Sequence, residues 1–318
     1  MALPTNSFAT YQAIGNREDL SDVIYRIDPS ETPFMSGAEV AKATGVNHEW
    51  QTQALDATDS ANAVLEGDDA TTDTVTPTVR LGNICQISDK VARVTGTQQA
   101  VDHAGRDNEL DYQKMLKGLA LKRDMETILV GTNQAKVSGD TTTARKLASI
   151  LAWIANNDDL GASGTSPSPV DGTDARNDGT QRAFTEAQLK SVLSACWTAG
   201  GKPDTIMAGA FNKQVFSTFT GRATPTEDTK SKKIVASVDA YESDFGTLKV
   251  VPNRFMRARD VLVLQMDMWA VAYLKGRKMV SKALAVTGDS ERHQILSEYT
   301  LEARNEKASG LVADLTTS

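Results

Sequence analysis

Residues 107–130, DNELDYQKMLKGLALKRDMETILV, predict one unbroken helix, and its length constrains everything around it. Leu110, Tyr112, Met115, Leu116, Leu119, Met125, Ile128 and Leu129 form a broad apolar stripe at helical spacing. Asp107 or Asn108 can cap the start, and Gly131-Thr132-Asn133 reads as the C-terminal cap. At about 1.5 Å per residue the rod is roughly 36 Å long, beyond the ordinary globular helix. Only Gly118 weakens it.

The sequence before the rod behaves differently. Asn47 to Gln53 looks like a strand start, and Val75 to Thr95 is rich in β-branched residues with turn residues inside it. Between them lies a polar Ala/Asp/Thr/Gly run. From Glu49 to Val79 the chain holds seven acids and no lysine or arginine, a charge equal to the whole-chain net of -7. Two strand-like runs around an acidic middle predict an extended hairpin, with an ordinary surface loop as the alternative. Still earlier, Leu20, Val23, Ile24 and Ile27 recur at three- and four-residue spacing until Asp28-Pro29 stops the helix. An extended run with Pro33 and a bare Phe34 follows. Such an arm cannot make a core by itself.

After the rod, Lys146 to Asn156 is a short helical or buried segment. Residues 157–182 are Gly, Ser, Thr, Asp and Pro with few large apolar groups, and are expected to be an exposed insertion. In FTEAQLKSVLSACWTAGGKPDTIMAG, Thr185 and Gln188 fit a capping box, and Phe184 with Leu189 fits its hydrophobic staple. Leu189, Val192, Leu193 and Cys196 supply the buried face, and Gly200, Gly201 and Pro203 end the helix. Thr205–Ala208 is then a strand and Phe211–Phe219 another helix. Strands are expected at Val235–Tyr241, Thr247–Val251 and Val261–Leu274. From Ile295 to Arg304 the alternation predicts a strand exposed on one face, its outward row carrying Glu298, Thr300, Glu302 and Arg304.

Little in the chain carries chemistry. His48-Glu49 begins like a zinc-protease motif, but Thr52 stands where the second histidine belongs. No CxxC pair, phosphate-cradling glycine loop or nucleophile elbow occurs. Cys85 and Cys196 read as buried, inert thiols. Glu66-Gly67-Asp68-Asp69 lacks calcium-loop spacing. The basic clusters Lys230, Lys232, Lys233 and Arg254, Arg257, Arg259 lack interleaved aromatics and do not read as nucleic-acid sites. No apolar run is long enough to span a membrane and no signal peptide is visible, so a cytosolic product is expected. Elements that bury nothing at home point to an assembling protein.

The order of parts, and the stretches YQAIGNREDLSDVIYRIDPSETPF, VDAYESDFGTLKVVPNRFM, DVLVLQMDMWAVAYL and GDSERHQILSEYTLEARNEKASGLVADL, resembles the major capsid (major head) proteins of tailed double-stranded-DNA phages. The resemblance implies an α+β fold of the Hong Kong 97 type. Residues 1–45 would be an N-terminal arm and 46–96 an extended loop. Residues 97–146 would be a peripheral domain with its spine helix at 107–130. Residues 147–276 would be mostly an axial domain, and 277–316 return strands of the peripheral domain. It also implies pentamers and hexamers in an icosahedral shell around DNA bound without sequence recognition. Portal, scaffolding and decoration proteins would be partners, with assembly in the host bacterial cytoplasm and no membrane or cofactor. Between subunits, Leu20, Val23, Ile24, Ile27, Phe34 and Trp50 would pack on neighbours. Glu66, Asp68 and Asp69 would meet basic positions such as Arg222, Lys232, Arg257 and Lys278.

Two departures stand beside the resemblance. No lysine occurs between Lys42 and Lys90, so the lysine cross-linking that some relatives perform in the extended loop is not expected. The arm begins almost at once, so scaffolding is expected as a separate protein or as a segment already removed. The alternatives are a bacterial encapsulin-type nanocompartment shell of the same fold, an α/β enzyme with scattered site residues, and a tail-tube or decoration protein.

Overall fold

The computed structural model describes residues 28–70, 72–102, 105–219 and 240–318. Along the chain come α1 (Pro33–Gly37), β1 (Glu39–Ala43), β2 (Asn47–Thr52), β3 (Val79–Ile84), β4 (Gln86–Thr95), α2 (Gly96–Ala100) and α3 (Glu109–Val130). Then follow β5 (Asp158–Asp159), α4 (Glu186–Thr198), β6 (Thr205–Ala208), α5 (Ala210–Phe216), β7 (Ala240–Ser243) and β8 (Gly246–Pro252). The chain closes with β9 (Val261–Leu264), β10 (Trp269–Leu274), β11 (Val280–Ala283), β12 (Ser290–Ala303) and β13 (Gly310–Val312).

The rod forms as its sequence predicts. Asn108 caps α3 by accepting from the Asp111 N–H at 2.9 Å, and Glu109 and Asp111 sit in the first turn, where the helix dipole favours acids. The end differs from a left-handed glycine cap. Gly131 keeps φ at -99°, and its lack of a side chain matters because a Cβ would lie 2.1 Å from the Phe255 carbonyl oxygen. Leu121, Met125 and Leu129 bury one face of α3 in a core shared with Ile150, Leu151, Trp153, Trp269, Tyr299 and Leu301.

Two larger sheets flank this core. The first runs β1-β10-β12-β11, and β4 pairs with β12 as well. β12 pairs with β4 from Ser290 to Tyr299, while β11 and β10 share its other edge in succession. Pairing fills both edges of the strand, and the half-exposed reading is corrected at two of its four outward positions: Glu298 is 2 % and Thr300 0 % exposed, while Glu302 and Arg304 are half-buried. Glu298 is tolerated there because Arg145 and Arg277 both ion-pair with it.

The second sheet runs β5-β13-β9-β6-β8-β7. α4 lies on it, with Leu189, Val192, Leu193 and Cys196 packed against Ile206, Val250, Val263 and Val312. The predicted capping box is present, Gln188 Oε1 accepting from the Thr185 N–H at 2.9 Å. Gly310 lets the helix approach, since a Cβ there would stand 2.3 Å from Val192.

Three further expectations change. The run Val261–Leu274 is two strands in two sheets, broken at Met266–Met268, so the chain crosses between sheets before residue 276. Residues 157–182 are not an exposed insertion. Asp158–Asp159 pairs with β13, and buried Arg176 bridges Asp260 and Asp314. Opposite charges supplied from elsewhere bury a segment too polar to bury itself. Pro33 opens α1 at a position where a missing N–H costs nothing, rather than sitting in an extended run. Of the strand expected at Val235–Tyr241, residues 235–239 lie outside the described residues.

Candidate functional site

The predicted hairpin is built on β2 and β3, paired antiparallel from Asn47–Ile84 to Thr52–Val79. Its root is fastened to the body. Asn83 Nδ2 donates to the carbonyls of Ala148 (3.1 Å) and Leu301 (2.8 Å). Lys136 Nζ donates to the carbonyls of Gly82 and Asp171 at 2.9 and 2.6 Å. His48 Nε2 meets Glu302 Oε2 at 3.0 Å, and the rings of Trp50 and Trp153 stand 5.4 Å apart. The hydrogen bond from His48, with Arg304 nearby, holds the Glu302 carboxyl below its ordinary range against the opposing effect of burial. β4, within the stretch expected as loop, instead lies in the first sheet.

Beyond that root the loop touches little among the described residues. Leu55 is 98 % exposed, and Val64, Leu65 and Val75 are 84, 79 and 86 % exposed. Glu66, Asp68 and Asp69 are exposed beside them. The acids stood out in the sequence. The four aliphatic residues did not, although apolar side chains in so polar a run are the signal that finds them.

The arm joins the body at a buried carboxylate. Glu126, on the core face of α3, accepts from the Phe34 N–H (2.8 Å), the Met35 N–H (2.9 Å) and the Asn253 amide (2.7 Å). Burial pushes its pKa above the ordinary carboxylate range, though these three donors oppose the shift. Phe34 itself is fully buried in the main core. Its expected role on a neighbouring subunit is therefore corrected: the side chain is spent at home. Trp50 is half-buried against the same core.

The basic candidates divide. Arg257 is engaged at home with Asp178 and Asp260, so it is not a free partner for a loop acid. Lys278 is exposed, its ammonium 4.6 Å from the centre of the Tyr273 ring. Arg222 and Lys232, like Leu20, Val23, Ile24 and Ile27, lie outside the described residues. Sequence reasoning also missed an exposed aromatic pair on the second sheet's side. Trp197, 59 % exposed, stacks on Phe245 with centroids 5.4 Å apart.

Among the described residues no group of three metal-ligating side chains converges. Burial pushes the Cys85 and Cys196 thiols up to about 11 and about 12, away from reactivity. No helix of the described residues is long and apolar enough to cross a membrane.

Comparison with known proteins agrees with a chain built to meet other chains. The family model described as SU10 major capsid protein matches residues 3–316. The major capsid protein of Escherichia phage Phieco32 is 30 % identical over 98 % of this chain and 97 % of its own length. Among solved structures, the cyanophage A-1(L) capsid asymmetric unit superposes with a TM-score of 0.63 at 14 % identity, covering 98 % of this chain and 99 % of that one. The SrpI encapsulin complex from Synechococcus elongatus gives 0.56 at 10 % identity, over 95 % and 93 %.

Proposed function

The chain belongs to the SU10 major capsid protein family, and on that premise we propose that its copies gather into pentamers and hexamers of an icosahedral head around double-stranded DNA. It is a phage major capsid protein with the Hong Kong 97-type fold, a structural component of the virion capsid. The likeness to an encapsulin is one of fold at 10 % identity, whereas the phage relative is similar in sequence over nearly its whole length. That difference favours the phage head over a nanocompartment shell. The role is structural, without catalysis.

One observation carries the assembly reading. Residues 53–78 present Leu55, Val64, Leu65 and Val75 to solvent on a hairpin whose root is tightly held. A subunit gains nothing by that arrangement, while a neighbour that covers those four side chains removes them from water. Glu66, Asp68 and Asp69 then steer the loop toward basic surface on the neighbour, of which exposed Lys278 is one described candidate. Each contact is weak, and symmetry multiplies it. Assembly takes place in the bacterial cytoplasm with scaffolding and portal proteins as partners. Decoration proteins join outside, and the DNA is enclosed without being read.

The test compares the full chain with a variant whose residues 55–76 are replaced by a short Gly/Ser linker, by light scattering and negative-stain microscopy. Closed particles from the full chain, and a folded variant that stays small, are expected. A full chain that remains a monomer or dimer under every assembly condition would overturn the reading.

A further inference from the structure

Strand β4 is an open edge of the first sheet. It pairs with β12 along its whole length, and among the described residues no strand pairs with its other side. One hydrogen bond tells which of its backbone groups are left over. The Gly96 N–H donates to the Asp289 carbonyl at 3.3 Å, one step beyond the paired Thr95 and Ser290. Residues of an antiparallel strand alternate between turning N–H and C=O toward the partner and away from it. Counted back in twos from Gly96, Val94, Ala92, Lys90 and Ser88 face β12. Ile87, Asp89, Val91, Arg93 and Thr95 turn their backbone groups outward. The far edge of β12 agrees: Arg292, opposite Arg93, accepts from the Leu284 N–H on the other side at 2.9 Å.

The same five residues carry the exposed side chains of the strand. A long edge with aliphatic residues on it is a template for another strand, unless a proline, a bulge or a charge blunts it. β4 has no proline, and its one lysine, Lys90, is turned to Asp124 of α3 at 2.6 Å. Arg93 is poorly placed at home. It stands directly opposite Arg292, and like charges in that position destabilise a sheet.

The row Ile87, Asp89, Val91, Arg93, Thr95 is complementary to itself. A second β4 laid antiparallel on this edge, with Val91 opposite Val91, sets Asp89 opposite Arg93 twice and Ile87 opposite Thr95 twice. Every residue in those pairs has its N–H and C=O turned to the partner. Centring the copy on Asp89 or on Arg93 instead sets like charges against each other. Centring it on Lys90 or Ala92 leaves Arg93 opposite Ile87 or Val91.

We propose that β4 of one subunit pairs antiparallel with β4 of a second copy about a two-fold axis at Val91, joining two first sheets into one. The contact is isologous, each subunit giving the same patch. Main-chain hydrogen bonds supply its attraction and the Asp89–Arg93 pairs its register. The proposal concerns a pair of subunits, so it stands or falls separately from the pentamers and hexamers.

The experiment uses the full chain, dispersed below the concentration at which particles form, with Val91→Cys or Ile87→Cys. Cys85 and Cys196 are buried and do not compete. Mild oxidation is followed on non-reducing gels. Two copies of position 91 would lie about 5.5 Å apart between α-carbons, within disulfide reach. Two copies of position 87 would lie about 27 Å apart, although Ile87 is as exposed as Val91 and collides as often. At least about tenfold more disulfide dimer from Val91→Cys is expected. Equal yields, or no dimer from Val91→Cys, would overturn the proposal. Sedimentation equilibrium then reads the charges. Asp89→Arg and Arg93→Asp, both at exposed positions, should each weaken the dimer at least about tenfold, and the two together should restore it to within about threefold of wild type. A wild type with no dimer to weaken, or a double variant as weak as the single ones, would also overturn it.

Discussion

Replacing Arg176 with alanine should destabilise the subunit by about 3 kcal/mol at neutral pH. The side chain is 1 % exposed and bridges Asp260 at 3.0 Å and Asp314 at 3.1 Å, which are themselves 1 % and 0 % exposed. Stripping the cation from a buried pair costs about 3–5 kcal/mol, because the remaining charge keeps its desolvation penalty. Here the loss belongs at the lower end. Arg257 still stands 3.4 Å from Asp260, and Arg259 still stands 2.8 Å from Asp314. Burial already raises the Asp260 pKa above its ordinary value, with Arg257 and Arg176 opposing the shift. Without Arg176 it rises further. A carboxyl whose folded pKa exceeds its unfolded value, about 3.9, stabilises most below that value and loses the contribution as pH rises through the folded one. The variant's deficit should therefore be larger at pH 7 than at pH 4. Urea unfolding followed by tryptophan fluorescence reads it, with the midpoint falling by about 1 M or more at pH 7. A loss below about 1 kcal/mol, or one equal at both pH values, would refute the claim that charge holds residues 157–182 in place.

Other outcomes follow from the same geometry. Gly131→Ala should improve helix propensity yet destabilise the subunit by about 1–3 kcal/mol, because its Cβ would press on the Phe255 carbonyl; thermal unfolding reads the sign. Glu302 has a lowered pKa, so the stability it brings is complete above its unfolded value of about 4.3 and is lost as pH falls through the folded value. Acid unfolding of wild type and Glu302→Gln should accordingly converge progressively as pH falls below about 4.3, with the wild type more stable above it. Changing Leu55, Val64, Leu65 and Val75 together to serine should leave the unfolding midpoint of the subunit within about 0.5 kcal/mol of wild type and abolish particles in light scattering.

What was legible in the sequence was local. The caps of α3 and α4 involve residues three apart, and the periodicity of α3 needs no partner to be seen. The hairpin showed itself through two β-rich runs around an acidic middle. Distant partners hid the rest. Arg176 meets residues 84 and 138 positions away, so a polar stretch looked like a surface insertion. Glu298 pairs with Arg145, 153 positions earlier, so a buried position read as part of an exposed row. Phe34 looked unattached because Glu126, which holds its backbone, is 92 residues on. The exposed loop, the proposed assembly surface, was half legible: its acids were conspicuous, and its aliphatic residues were hidden by the polar company they keep.

The loop at residues 53–78 has a consequence for how such a protein drifts and fails. Its side chains add almost nothing to the stability of the lone subunit. Cellular proteolysis and chaperones judge a chain by how often it unfolds, so a substitution at Leu65 or Val75 passes their inspection. On the proposed assembly role, the error surfaces only later, when individually sound subunits meet and do not close. For this stretch the unit on which selection acts is the particle rather than the polypeptide.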